Sequence, residues 1–230
     1  MSGLAWRSPG ARATRHKRAA RLLAADGGAD AELAPHLLAA EPAGDPWVVE
    51  RLRTAAREVL QRGAPDAACR YLERALAEPP SSDDRLEVLL ALGSAELQVA
   101  RPTAVAHLRE VVDGVTDARM RFEAAQELAW ALAFSDRVQE GVAVGHTALA
   151  DVPAEETELR LRLRGWLAAT AQFAPRIAKA ELDGLGGYAG KLSGATPGER
   201  QILALLAFAA AHRGDSAGRN GRARSARARR

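Results

Sequence analysis

The chain has 230 residues, 47% of them apolar but only 4% aromatic, and a formal charge of +3. Its alanine, leucine, arginine and glutamate are helix formers, and the β-branched and aromatic residues that pleated sheets favour are scarce, so the fold expected is all-α, in one large or two small domains. The lone Cys69 excludes an internal disulfide, and the longest apolar run, Ile202–Ala211, is about half of what a bilayer crossing needs, so a cytoplasmic setting and no membrane association are expected.

The charge is unevenly spread. Residues 1–18 carry Arg7, Arg12, Arg15, Lys17 and Arg18 with no acid, and residues 219–230 carry six arginines with no acid. Setting those five and six cations aside leaves −8 for residues 19–218. The basic pI therefore describes the ends, and specific DNA binding is not expected of the body.

In chain order, residues 1–14 are expected to be disordered and 15–46 to form a helical lead-in. Asp45-Pro46 opens a helix running to about Gln61, with Gly63 as its stop, and Pro65 opens the next, which ends at Pro79-Pro80. Ser81, Ser82 and Asp83 offer caps for a third helix, and Pro102 starts a fourth. Ser135-Asp136 breaks the following pair, and Pro153 precedes a long helix expected to end near Pro175. Thr196-Pro197-Gly198-Glu199 has the form of a capping box, in which the threonine hydroxyl and the glutamate carboxylate each satisfy a backbone N–H. About ten helices joined by short loops follow, and residues 218–230 are expected to be a disordered arginine-rich tail.

Two interlocked series of small residues suggest a repeat. Ala56, Gly93, Ala129 and Gly165 recur at intervals of 37, 36 and 36, and Ala68, Ala104, Gly141 and Ile177 or Ala178 follow them at offsets of 11 to 13. One small residue per helix, where two helices cross closely, predicts helix pairs stacked into a superhelix over residues 47–217 with a period of about 36.

The segment Gly63–Leu76, with Ala68, Leu72, Ala75 and Pro80 at small–large–small–proline spacing, resembles the second helix of a tetratricopeptide repeat. Leu92-Gly93 matches that family's first-helix pair, and Ala148 and Pro153 repeat the spacing of Ala75 and Pro80. The period is longer than the family's 34, its aromatics are mostly missing, and Gly141 and Gly145 look like poor packing residues. The resemblance implies a right-handed superhelix of antiparallel helix pairs, an α-solenoid. Its first helices would line a concave groove that takes a protein, peptide or small effector. Groove positions carried over are Arg53 and Arg57, one turn apart as an anion clamp, with Glu50; Glu87, Leu90 and Ser94; Glu123, Gln126 and Trp130; and Arg162 with Trp166. Trp130 and Trp166 fall on equivalent positions, as a stacking platform or as packing between repeats. An uncapped last repeat would invite self-association.

A second resemblance lies in the order of segments. His16–Gly27, then Ala34-Pro35-His36-Leu37-Leu38, then Gly44-Asp45-Pro46-Trp47-Val48-Val49 is similar to the region after the ATPase module of actinobacterial LuxR-type signal-transduction ATPase regulators. Arg74–Pro80 and Gly194–Arg200 extend the likeness. It implies a helical sensor segment without the ATPase or helix-turn-helix domains, as in a truncated or frame-shifted copy. A standalone tetratricopeptide-type adaptor is the alternative, and non-specific nucleic-acid association through the basic ends is a second.

No catalytic, cofactor or metal constellation is legible. Gly186–Leu192 is the nearest approach to a phosphate loop, but its glycine spacing is one short and Leu192 replaces the hydroxyl that would hold magnesium. His16, His36, His107, His146 and His212 are dispersed, with no pair at the spacing zinc helices use. Cys69 is expected as a buried small hydrophobe. Asp83-Asp84 and Glu155-Glu156 stand at helix starts, where acids complement the helix dipole.

Overall fold

The computed structural model describes residues 9–78 and 80–211, and these are helical with no strand among them. The tail from 218, His212 and residues 1–8 lie outside the described residues. The chain divides into two compact units, Met1–Thr116 and Asp117–Arg230.

The first unit holds α1 (Pro9–Ala25), α2 (Asp30–Leu38), α3 (Pro46–Gln61), α4 (Pro65–Ala77), α5 (Ser82–Gln98) and α6 (Ala104–Gly114). Each packs on its neighbour in sequence. α1 begins inside the stretch expected to be disordered, so residues 9–14 are helical. The starts of α3 and α4 fall at the prolines that predicted them, because a proline at the first turn loses no hydrogen bond. Asp45 caps α3 by accepting from the Trp47 N–H, and Gly63, at φ +76°, ends it in the left-handed conformation that glycine adopts without a Cβ penalty. Ser81 caps α5. α6 starts two residues after Pro102, which lies in the preceding turn.

The apolar stripes of α2–α5 meet in one core that includes Leu33, Leu37, Leu52, Leu72 and Leu92. Two buried carboxylates close this unit's connections. Glu78, 1% exposed at the end of α4, accepts the Ala43 and Asp45 N–H groups at 2.7 and 3.1 Å and an Arg74 N–H at 2.8 Å. Arg74 also donates to the Ala40 carbonyl, so the 39–45 connector is held from both ends of the pair. Burial alone would raise the Glu78 carboxyl, but these donors outweigh it and hold it below its ordinary value. Glu96 is likewise buried, accepting the Thr103 hydroxyl at 2.6 Å and facing His107 Nδ1 at 2.8 Å, which ties α5 to the turn before α6.

The second unit holds α7 (Ala118–Ala133), α8 (Val138–Asp151), α9 (Thr157–Thr170) and α10 (Pro175–Gly184), with single 3₁₀ turns at Ala171–Phe173 and Leu185–Tyr188, and a last helix, α11, from 197 to 211. α7 packs on α8 where the two small-residue series predict a close crossing. A β-carbon on Gly141 would stand 3.0 Å from the Ala129 carbonyl oxygen and 3.1 Å from its Cβ. The fourth position behaves differently: Gly165 of α9 meets the Gln201 side chain of α11, not the 177–178 region of α10.

Two expectations need correction here. The helix after Pro153 ends at Thr170, and Pro175 begins the next helix instead of closing this one. Ala174 is extended because the ring of a following proline crowds the helical conformation, so the chain tightens into a 3₁₀ turn and bends before α10 starts. The capping box is half formed. The Thr196 hydroxyl accepts the Glu199 N–H at 3.3 Å, but the Glu199 carboxylate turns to the preceding loop and accepts N–H groups from Ser193, Gly194 and Ala195. The Ser193 hydroxyl, and after it those N–H groups, hold its carboxyl below the ordinary value.

Candidate functional site

The most conspicuous surface feature of the second unit is aromatic. Trp130 lies on the last turn of α7, and Phe134 follows one turn later as its C-cap, where the chain leaves the helix. Their rings stack, with centroids 5.7 Å apart and planes 22° from parallel. Asp136, at φ +57°, turns the chain away immediately afterwards. From the other side the 3₁₀ turn brings Phe173, whose ring meets Trp130 edge-on at 5.7 Å and 72°. Phe134 is 79% exposed and Phe173 58% exposed, while Trp130 between them is half-buried. Edge-to-face and offset contacts of this kind are favourable among themselves, yet they leave large apolar faces in water.

Trp166 does not share this surface. It is 4% exposed and its ring covers Gly145 of α8, so the equivalence expected of Trp130 and Trp166 gives one surface tryptophan and one core tryptophan. Gly141 and Gly145, which look in the sequence like poor packing residues, are the positions at which α8 lets α7 and α9 come close.

Arg162 lines a separate open cleft of about 440 Å³ between the first turns of α7 and α9. Its guanidinium lies over the Phe122 ring, 5.3 Å from the centroid, and Arg119, Glu123, Glu158 and Leu159 are among the other residues of the walls. Glu158 is only partly available there, because one oxygen accepts the Gly198 N–H at 2.8 Å and so caps α11. Gln126 lies half-buried on α7, between the cleft and the aromatic cluster in sequence.

The remaining predicted positions belong to the first unit. Arg53 is ion-paired with Glu87 of α5 and lies 3.8 Å from the Asp84 carboxylate. Its charge is therefore already balanced, and the anion clamp expected of Arg53 with Arg57 reduces to the exposed Arg57. Ser94 turns its hydroxyl back onto the Leu90 carbonyl at 2.9 Å.

The residues set aside in the sequence keep mostly structural surroundings. Cys69 is fully buried, and desolvation pushes its thiol up, away from nucleophilic use. Gly186–Leu192 spans part of a 3₁₀ turn and the loop after it. His16 and His36, twenty residues apart, meet with their Nδ1 atoms 3.0 Å from one another. Among the described residues no three His, Cys, Asp or Glu side chains are grouped to hold a metal ion, and no helix is long and apolar enough to cross a membrane.

Phe134 and Phe173 are the residues that sequence reasoning missed. Both stand beside a helix breaker, Ser135-Asp136 or Pro175, and in a chain so poor in aromatics that placement is a usable signal. Compared with known proteins, the chain matches no family model, no curated protein and no solved structure.

Proposed function

We propose that this chain is a non-catalytic binding module, the helical sensor segment of a LuxR-type ATPase regulator, and that it takes a protein, peptide or small apolar effector on the Trp130–Phe134–Phe173 surface. The observation that carries this reading is the exposure of Phe134 and Phe173 about a half-buried tryptophan. Burying an aromatic side chain contributes about 2 kcal/mol, so leaving two of them in water is costly unless a partner covers them. Aromatic anchors around a tryptophan are also the composition of binding hot spots. The sequence likeness to the regulators' helical region supplies the biological class, and the aromatic surface supplies the means. The stacked superhelix of about 36-residue period belongs to the same proposal.

The experiment is selection of a random dodecapeptide library on the immobilised full chain, followed by calorimetric titration of the enriched peptide. Enrichment of aromatic or aliphatic peptides, with at least about tenfold weaker binding to a Phe134→Ala/Phe173→Ala double variant, is expected. Equal affinity for that variant, or no enrichment over bare matrix, overturns the assignment.

A further inference from the structure

The histidine pair joins the first helix to the second by a contact that requires one unprotonated nitrogen. His16 of α1 and His36 of α2 place their Nδ1 atoms 3.0 Å apart, with ring centroids at 5.3 Å. Each centroid lies one ring radius behind its nitrogen, so this separation means the two nitrogens point straight at one another. That is the geometry of an N–H···N hydrogen bond. Two nitrogens sharing a metal ion would instead turn their lone pairs toward a common point and draw the rings closer.

The contact serves a weakly packed end. Of α1, Ala20 belongs to the main core with Leu23 and Ala24 packed against it, all in the C-terminal half. The N-terminal half buries Ala13 but borders an open hollow of about 200 Å³ lined by Ala13, Thr14, Lys17, Ala40, Glu41 and Pro42, among others. Farther along α1, Lys17 and Arg21 both reach the Asp45 carboxylate, at 2.9 and 2.6 Å. Those cations hold the Asp45 carboxyl below its ordinary value against the opposing effect of burial.

We infer that His16 and His36 form an acid-sensitive clasp that releases the N-terminal turns of α1 while its C-terminal turns stay docked. With both rings neutral, one donates Nδ1–H and the other accepts. With one ring protonated, that ring donates its Nδ1–H to the neutral one and the bond becomes charge-assisted. With both protonated, two N–H groups and two positive charges face each other at 3.0 Å, and the contact is lost. Histidine is the side chain that changes charge between about pH 5 and 8. The charged neighbours do not rescue the pair. Lys17 and Arg21 are held by Asp45, and Asp30 of α2 is held by Arg51 of α3. Arg12, Arg15 and Arg18 on α1 add positive charge, and the acids Glu32 on α2 and Glu41 in the connector are exposed to solvent. Because Lys17 and Arg21 favour the charged form of the Asp45 carboxylate, its contacts to the later turns of α1 outlast the clasp, and the two halves of α1 separate in two steps.

The test is backbone amide hydrogen exchange on the full chain at pH 7.5 and 4.5, the lower value chosen because a singly protonated pair keeps its bond and only the second proton breaks it, with the results expressed as protection factors so that the intrinsic pH dependence cancels. Protection over residues 13–16, the first amides of α1 bonded within the helix, is expected to fall at least about tenfold at the lower pH while residues 20–25 keep theirs. His16→Gln/His36→Gln replaces both imidazoles with amides that gain no charge in acid, and its protection over 13–16 is expected to be the same at both pH values. His16→Gln alone serves if the double variant misfolds, since a protonated His36 can still donate to the glutamine oxygen. Unchanged protection in the wild type at pH 4.5 overturns the inference, as does a fall that persists in the variants or a fall shared by both halves of α1.

Discussion

The indole of Trp166 lies over Gly145, with its Cζ3 only 2.8 Å from where a β-carbon on that glycine would stand. Leu167 closes in from beside it, at 2.4 Å from the same point, and both side chains are buried. The glycine is therefore a socket for the tryptophan, and α8 and α9 meet at that socket. Gly145→Ala gains about 1 kcal/mol of helix propensity but forces two packed side chains to move, an overpacking cost of about 1–3 kcal/mol. A net loss of stability is expected, read as a lower urea midpoint with an unchanged slope.

Thr170, one turn beyond Trp166 on α9, is fully buried, and its hydroxyl oxygen has no hydrogen-bond partner among the described residues. A buried polar group without a partner costs about 1–3 kcal/mol, and an apolar group of the same shape removes that cost. Thr170→Val is expected to stabilise the chain by about 1 kcal/mol, measured by chemical denaturation. A loss of 1 kcal/mol or more would show that the hydroxyl is satisfied in solution.

Glu78 gives the stability an acid-dependent component. Its native carboxyl is held below the ordinary glutamate value of 4.5 by the Ala43 and Asp45 N–H groups and by Arg74, against the opposing effect of burial. A carboxyl lowered in the native state contributes stability that is complete above its unfolded value and is lost as pH falls through the native one. Glu78→Gln leaves the Arg74 guanidinium, itself only 10% exposed, without its counter-charge. A loss of about 3 kcal/mol at pH 7 is expected, shrinking as the pH is lowered below 4.5, in paired denaturation curves.

Much of the fold is legible in the sequence because its punctuation is covalent. Pro46, Pro65 and Gly63 act through their own backbone restrictions, and the helices start and stop beside them. Ala129 and Gly141 meet because a close crossing admits only small side chains. Pro175 misleads because a proline that cannot continue a helix can equally begin one, and only the extended Ala174 decides between the two. The site is less legible for a different reason. A heptad-like position tells which helix face a residue occupies, not what covers it, so Trp130 and Trp166 look alike until Gly145 is seen beneath one of them. Arg53 looks free until α5 supplies Glu87. Phe134 and Phe173 lie at helix ends, outside the periodic pattern, and are joined only by the bend before Pro175. His16 and His36 are scattered in sequence, and packing of α1 on α2 brings them together.

The most direct test of the aromatic surface is the indole N–H spectrum of the chain, which carries four tryptophans, titrated with the selected peptide and assigned by single Trp→Phe variants. Trp130 stands between the two exposed phenylalanines and Trp166 is sealed in the core, so the two report on different places. Binding on the proposed surface predicts that the Trp130 resonance shifts saturably while that of Trp166 stays where it is. A saturable shift of Trp166 with Trp130 unmoved, or binding that moves neither, would contradict it.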